Sequence, residues 1–335
     1  MLPAPPRAGA LMRAPNMKEN PMHFITSALA RAGRVARGRA RMLASVAVLA
    51  AAAALALPAH ADAIRVGGKN FTEQLILSSM TTQYLQAKGF TTELTAGLGS
   101  TLMRQAMESG QLDVVWDYTG TALIVFNKVE EKLGAEESYA RVKTLDAARG
   151  LMWLDASGIN NTYALAMPRK RAEAAGVTTL SAFAEKMRAA GENTAHPFAV
   201  DMEFAARPDG LEPLKARYQL PFSRRDVIQL DPGLVYTALK NDQVELGLVY
   251  TTDGRVKGFD LVLLEDDQHF FPAYNAVPVV RKATLQAHPE LAGLLNALSA
   301  KLDNAAMTEM NYKVDIDQQP ADKVAQEFLR GHGLI

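Results

Sequence analysis

The sequence predicts an α/β protein built as two lobes. From residue 64 onwards, short apolar runs of strand length alternate with helical stretches, which is the pattern of α/β domains with a largely parallel sheet. The alternation restarts near Arg169, and a chain of 335 residues is long enough for about two domains. From about residue 288 the pattern is purely helical. We therefore expect two α/β lobes followed by a helical tail.

The first lobe is predicted to begin with a strand at 64–68 that ends in a glycine turn. Asn70 and Glu73 have the spacing of a capping box, so a helix is expected to begin there, and Gly89 ends it. The elements expected next are a strand at 90–96, a helix at 102–109, a strand at 112–118, helices at 119–127 and 137–149, and a strand at 163–167.

The second lobe is expected to repeat this alternation. Asp231 followed by Pro232 is typical of a helix start, so a helix is predicted from there to Lys240. The other predicted elements are helices at 169–175 and 181–190, a strand at 198–200, a helix after 210, strands at 227–230, 246–250, 262–264 and 277–280, and tail helices at 288–301, 303–312 and 321–330.

The chain is expected to cross between the lobes twice, near 163–168 and near 274–278. The first lobe would then comprise residues 64–165 together with 275–335. The second lobe would comprise residues 166–274.

The charges are distributed unevenly along the chain. Eight of the 36 basic residues but only one of the 36 acidic residues precede Ala61, which leaves 28 basic and 35 acidic residues in the remainder. Such a mildly acidic body argues against nucleic acid or an anionic membrane surface as the partner.

The amino-terminal 61 residues have the pattern of a cleaved secretory signal peptide. A long basic region precedes an apolar core at 43–57, and Pro58 and two overlapping Ala-x-Ala sites follow, with cleavage after Ala61 or Ala63. A transmembrane anchor is the alternative, but the core is short for one. Because the basic region is unusually long, Met17, Met22 or Met42 is a candidate for the true start.

The chain contains no cysteine. Disulfides are therefore excluded, and so is a lipid-modified cysteine after the signal peptide. A secreted protein with neither feature fits the Gram-negative periplasm.

Motifs of catalysis and metal binding are missing from the sequence. No Gly-x-Ser-x-Gly, phosphate-binding Gly-x-x-x-x-Gly-Lys or His-Glu-x-x-His is present. His196, His269, His288 and His332 show no metal-ligand spacing. We therefore expect neither a catalytic residue nor a metal or other cofactor.

Four tyrosines lie where predicted strands begin or end: Tyr118, Tyr163, Tyr250 and Tyr274. Any one of them alone is more simply a packing residue, but open α/β folds bind ligands at such edges. A quaternary ammonium ion cannot donate a hydrogen bond, so several aromatic ring faces are the chemistry that holds it. Lys69 and Arg207, beside predicted helix starts, could bind an anionic end of the same ligand.

The segments around these tyrosines resemble the periplasmic substrate-binding proteins of quaternary-amine ABC transporters. The resemblance covers essentially the whole mature chain, in order, and rests on residues 66–74, 117–121, 160–164, Glu203 with 207–210, 250–254 and 272–278.

This resemblance implies a type II periplasmic binding-protein fold with a ligand cleft between its lobes. Carried over position by position, it implies a cation cage of Tyr118, Tyr163, Tyr250 and Tyr274. It assigns the ligand carboxylate to Arg207, Lys69 and Thr121, and it places Asn161 and Glu203 along the site. Departures from the family pattern are Trp116-Asp117 where Pro-Glu is usual, Gly68 where Ser is common, and Asn161, which stands at a variable position.

The function that follows is a soluble, monomeric periplasmic receptor that performs no chemistry. It would deliver glycine betaine to an inner-membrane ABC permease with a cytoplasmic ATPase. Choline, carnitine or proline betaine as the ligand of the same fold remains open. A periplasmic enzyme and a sensor subunit are the alternatives from other classes.

Overall fold

The computed structural model describes residues 63–191 and 194–335. The predicted signal peptide, residues 1–61, lies outside the described residues. Nowhere in the described part of the chain does a helix have the length and apolar character needed to cross a membrane.

The first of two five-stranded sheets has the strand order β2-β1-β3-β10-β4. Its strands are β1 (Ile64–Lys69), β2 (Thr92–Leu98), β3 (Val114–Tyr118), β4 (Leu151–Trp153) and β10 (Ala276–Arg281). Strand β1 pairs in parallel with β2 and β3, whereas β10 pairs antiparallel with β3 and β4. We call this sheet and its helices lobe 1.

The second sheet has the order β7-β6-β8-β5-β9. Its strands are β5 (Tyr163–Pro168), β6 (Phe198–Asp201), β7 (Val227–Leu230), β8 (Leu246–Tyr250) and β9 (Leu261–Leu264). Strand β6 pairs in parallel with β7 and β8, and β5 pairs antiparallel with β8 and β9. We call this sheet and its helices lobe 2.

Helices surround both sheets. Those of lobe 1 are α1 (Thr72–Ala87), α2 (Ser100–Glu108), a π-helix (Thr121–Phe126), α3 (Ala135–Ala147), α10 (Lys282–Ala287), α11 (Glu290–Ser299), α12 (Asn304–Asp315) and α13 (Ala321–Gly331). Those of lobe 2 are α4 (Arg169–Ala175), α5 (Leu180–Ala190), α6 (Met202–Ala206), α7 (Leu211–Tyr218), α8 (Pro232–Lys240) and α9 (Arg255–Gly258).

Two details of the predicted topology need correction. The sheets are mixed rather than largely parallel, because β5 and β10, the strands that follow the two crossings, run against their neighbours. The predicted boundary between residues 165 and 166 falls inside β5, which pairs along its length within the second sheet. Lobe 2 therefore begins before Tyr163.

The two crossings run side by side. Asn160 and Asn275 form an antiparallel bridge, and the Asn160 side chain accepts a hydrogen bond from the Tyr274 backbone N–H at 2.8 Å. The hydroxyl of Thr162 donates to the carbonyl of Pro272 at 2.9 Å. This pair of connecting segments is the hinge expected of a two-lobed binding protein.

The tail also contacts lobe 2. Gly254 packs so closely on the backbone of Tyr312 in α12 that a Cβ atom there would lie 2.4 Å from the Tyr312 Cα. The side chain of Ile316, just after α12, packs closely on Gly258.

Candidate functional site

A cavity of about 220 Å³ opens between the lobes, where the strand ends predicted from the sequence come together. Tyr118 ends β3, Tyr163 begins β5 and Tyr250 ends β8. Tyr163 and Tyr250 lie directly opposite each other in the β5–β8 pair. Tyr274 lies on the second crossing, and all four line the cavity.

The rings form a connected group. The Tyr163 ring centroid lies 5.4 Å from that of Tyr250 and 5.2 Å from that of Tyr274, the latter in an edge-to-face arrangement. Phe71 adds a fifth ring from lobe 1, 5.2 Å from Tyr250 and 6.1 Å from Tyr118. Aromatic rings from both lobes therefore face one small space.

Each of three cage hydroxyls donates to a carboxylate. Tyr118 bonds to Glu73 at 2.7 Å, Tyr250 to Asp201 at 3.1 Å and Tyr274 to Asp209 at 2.7 Å. Burial raises the pKa of each of these phenols. The tyrosines are thus neutral, oriented and electron-rich, which suits their ring faces to a cation.

The lobe 1 wall of the cavity carries the groups that suit an anion. The Lys69 Nζ lies 2.8 Å from an Asp117 carboxylate oxygen and 5.0 Å from the Tyr118 ring centroid, and both charged side chains are buried. Gly99 and Ser100, at the start of α2, also line the cavity, and no side chain caps that helix. Free N–H groups at a helix start attract negative charge.

Arg207 lies one layer behind the wall. Its Nε and Nη2 donate to Asp209 at 2.8 and 2.7 Å, Nη2 also donates to the Tyr274 hydroxyl at 2.9 Å, and Nη1 donates to Thr121 at 3.1 Å. The guanidinium thus joins α6 in lobe 2 to the π-helix in lobe 1 and to the second crossing.

The lobe 2 wall is acidic. Asp201, Glu203 and Asp231 line it. Glu203 lies 3.6 Å from the Arg207 guanidinium and is 39% exposed at the side chain. Burial raises the pKa of Asp201, and the nearby charge of Glu203 adds to this effect. The two walls therefore differ in charge.

Eight of the nine residues predicted for the site line this cavity; they are Lys69, Tyr118, Thr121, Asn161, Tyr163, Glu203, Tyr250 and Tyr274. Arg207, the ninth, contacts Thr121 and Tyr274 from behind. The sequence reasoning missed Phe71, Ser100, Asp201 and Asp231. A signal for Phe71 was available, since it lies inside the segment at 66–74 that carried the resemblance.

The residues that depart from the family pattern, Trp116, Asp117 and Gly68, differ in whether they lie in the core or in the site. The Trp116 indole is buried beneath α1, where its Nε1 donates to the Thr81 hydroxyl at 2.8 Å. Asp117 instead pairs with Lys69 in the site. Gly68 packs against Ser78 so closely that a Cβ would lie 2.5 Å from the Ser78 hydroxyl oxygen.

Within the described residues, no group of three or more histidine or carboxylate side chains could hold a metal ion. His196 pairs with Glu245 at 2.6 Å, away from the cavity.

Comparison with known proteins gives a consistent result. Residues 62–331 match the model of the substrate-binding domain of ABC-type glycine betaine transport systems. A glycine-betaine-binding protein of Pseudomonas aeruginosa is 53% identical over 280 residues, which cover 83% of this chain and 90% of that protein. A carnitine transport binding protein of Listeria monocytogenes is 33% identical, over 80% of this chain and 86% of that protein.

A solved structure of a glycine betaine/carnitine/choline ABC transporter protein superposes with a TM-score of 0.65 at 28% identity, covering 81% of this chain and 99% of that one. The resemblance recognised from the sequence is confirmed, and the two-lobed fold with it. The family consists of binding receptors of transporters rather than enzymes. This chain belongs to the family of substrate-binding domains of ABC-type glycine betaine transport systems.

Proposed function

We propose that this protein is a periplasmic receptor that captures a quaternary ammonium solute, with glycine betaine as its principal ligand, and delivers it to an ABC permease. One observation carries the proposal: four tyrosine rings line a single cavity between the lobes, and the opposite walls of this cavity differ in charge. The similarity to a glycine-betaine-binding protein at 53% identity supports the same ligand.

The trimethylammonium head would lie against Tyr163, Tyr250 and Tyr274. Each desolvated ring contributes about 0.5–2 kcal/mol to holding such a cation. The carboxylate would face Lys69 and Thr121, with the uncapped start of α2 nearby. A zwitterion held in this way touches both lobes at once, so binding selects the closed arrangement.

Arg207 would act from behind the site, by fixing Thr121 and Tyr274 rather than by contacting the ligand. This differs from the role that the resemblance implies for it.

Choline is the second candidate ligand, and the acidic lobe 2 wall favours it. Asp201, Glu203 and Asp231 add negative charge to the cavity, whereas choline carries a net positive charge and no carboxylate. Carnitine and proline betaine share the quaternary head and belong in the same test.

Calorimetric titration with glycine betaine, choline, carnitine and proline betaine tests the proposal. We expect at least one of them to bind, and Tyr250→Ala to weaken that ligand by roughly 1–3 kcal/mol because one ring face is lost. Tyr139→Ala is the control, since Tyr139 lies on α3 and does not line the cavity. Absence of binding to all four ligands would refute the proposal.

We further propose export through the signal peptide, cleaved after Ala61 or Ala63, and action as a monomer. The intact mass of the exported protein tests the cleavage site. A mature form that retains residues 43–57 would contradict it.

A further inference from the structure

We infer that Asp201 is the counter-charge of the bound cation, and that it makes the site select a charged quaternary ammonium head over a neutral group of the same shape. This inference rests on the proposed function. In it, Asp201 distinguishes ligands by the charge of the head group and not by its shape.

Asp201 lies at the junction of β6 and α6, on the cavity wall, and is only 3% exposed. Its Oδ1 accepts a hydrogen bond from the Phe204 backbone N–H at 2.7 Å. Its Oδ2 accepts one from the Tyr250 hydroxyl at 3.1 Å. Both donors are neutral, so the carboxylate is hydrogen-bonded but its charge is not balanced by either of them.

The cations near the cavity already have other partners. Lys69 pairs with Asp117 at 2.8 Å, and Arg207 pairs with Asp209 through two hydrogen bonds. None of the ion pairs found in residues 63–191 and 194–335 includes Asp201. The groups facing it are Glu203 and Arg207 on and beside α6, Tyr250 on β8 and Tyr163 on β5, and Glu203 adds charge of the same sign.

A buried carboxylate without a cation is costly unless a positive charge arrives. A quaternary ammonium ion can supply that charge without needing a hydrogen-bond acceptor, so it leaves the bonds of Asp201 to Phe204 and Tyr250 intact. The bond from Tyr250 also moves electron density towards its ring, which strengthens the attraction of the ring for the same cation. Burial raises the pKa of Asp201 and the negative charge of Glu203 adds to this, whereas the hydrogen bonds from Phe204 and Tyr250 and the charge of Arg207 oppose it.

The variant Asp201→Asn removes the charge and keeps the shape. Asparagine is as good an N-cap as aspartate, so α6 should form normally. Asp303→Asn is the matched control, because Asp303 caps α12 through an equivalent bond to the Ala306 N–H at 2.8 Å and does not line the cavity.

The probes are choline and 3,3-dimethylbutan-1-ol, in which an uncharged carbon replaces the nitrogen. Both are titrated into the wild type, Asp201→Asn and Asp303→Asn, with the alcohol measured by competition against choline. In Asp201→Asn we expect the preference for choline over the alcohol to fall roughly 10- to 100-fold, because a nearby unit charge is lost from a buried site. The affinity for the alcohol itself should change less than about threefold, and Asp303→Asn should match the wild type.

An equal loss of both probes in Asp201→Asn would overturn the inference, because Asp201 would then only position Tyr250. An unchanged preference would overturn it as well. In both cases the wild type still binds choline, so the proposed function stands. If the wild type binds neither choline nor any other quaternary ammonium compound, the proposed function fails and the role of Asp201 fails with it.

Discussion

Arg207 shows how a single side chain can link several parts of a binding site. Its guanidinium group bonds to Asp209, Tyr274 and Thr121, which lie on three separate segments of the chain. It is 5% exposed, and its Cζ lies 5.6 Å from the Tyr163 ring centroid and 5.4 Å from that of Tyr274. Because it bonds to both Tyr274 and Thr121, Arg207 would, under the proposed function, affect both ends of a ligand.

We therefore expect Arg207→Met to weaken glycine betaine and choline by similar factors, roughly 10- to 100-fold, since both depend on the position of Tyr274. The loss of a buried ion-pair partner for Asp209 should also lower the melting temperature. Titration of both ligands and a thermal melt measure these effects. The double variant Arg207→Met/Asp209→Asn should recover part of the stability but not the affinity. A loss confined to glycine betaine would instead show that Arg207 binds the carboxylate.

The four tyrosines that line the cavity could be singled out from the sequence because each stands beside the beginning or the end of a predicted strand. Strand ends are easy to locate, and Tyr163 and Tyr250 meet because they lie on neighbouring strands of one sheet, whereas Tyr118 comes from the other sheet and Tyr274 from the second crossing. Asp201 could not be predicted as part of the site. An aspartate after a strand is an ordinary N-cap, and only the folded structure shows that its second oxygen meets Tyr250.

Among the elements, the segment 251–254 after β8 packs directly against the backbone of the tail. A Cβ on Gly254 would lie 2.4 Å from both the Cα and the N of Tyr312. These are backbone atoms of α12 and cannot rotate away as a side chain could. The contact holds lobe 2 against the tail of lobe 1 without any side chain between them.

Gly254→Ala should therefore destabilise the protein by about 1–3 kcal/mol, as overpacking does when neighbouring atoms cannot yield. Gly293→Ala on α11 is the control and should have the opposite effect. Gly293 is exposed, and no atom lies within 4 Å of a Cβ placed there. Alanine in the interior of a helix should stabilise by about 0.5–1 kcal/mol. Urea unfolding of the two variants measures both values. Equal stability of Gly254→Ala and the wild type would mean that α12 shifts freely.

Three elements could not be predicted correctly from the sequence. The strand β4, Leu151–Trp153, is too short for its periodicity to be recognised. The π-helix at Thr121–Phe126 lies within a helix predicted at 119–127, since apolar spacing does not distinguish a wider turn from an α-helical one. The pattern of β5 predicts its length and burial but not which of the two sheets it joins, so the predicted lobe boundary falls inside this strand.

In the whole molecule, one charged cluster ties lobe 2 to the tail of lobe 1. Arg255 on α9 pairs with Asp253 at 2.5 Å and lies 3.6 Å from Asp315 at the end of α12. Asp315 also accepts a hydrogen bond from Thr72 at the start of α1, at 2.7 Å. Burial raises the pKa of Asp315 to about 6, and the neighbouring charge of Asp253 adds to this while Arg255 opposes it.

The raised pKa of Asp315 makes the stability of the protein depend on pH. Because the folded protein binds a proton at Asp315 more tightly than the unfolded chain does, this group contributes to the free energy of unfolding at low pH, and the contribution is lost as the pH rises through about 6. At pH 8 we expect Asp315→Asn to be more stable than the wild type, by roughly 1–3 kcal/mol. At pH 4 the difference should be small. Urea midpoints at the two pH values measure it.

Asp317→Asn, an exposed aspartate two residues away, is the control and should match the wild type at both pH values. If Asp315→Asn proves less stable at pH 8, the attraction between Asp315 and Arg255 outweighs the cost of burying the carboxylate.

The interior position of β10 in the first sheet has a consequence for how the chain folds when it emerges progressively, amino terminus first. This strand lies between β3 and β4, yet it follows the whole of lobe 2 in sequence. Lobe 2 is one continuous stretch, so its sheet can assemble as soon as residue 264 has emerged. The sheet of lobe 1 stays incomplete until residue 281 has emerged, because β3 and β4 both pair with β10. The amino-terminal lobe therefore finishes last, and its unpaired strand edges are the part of the emerging chain most exposed to aggregation.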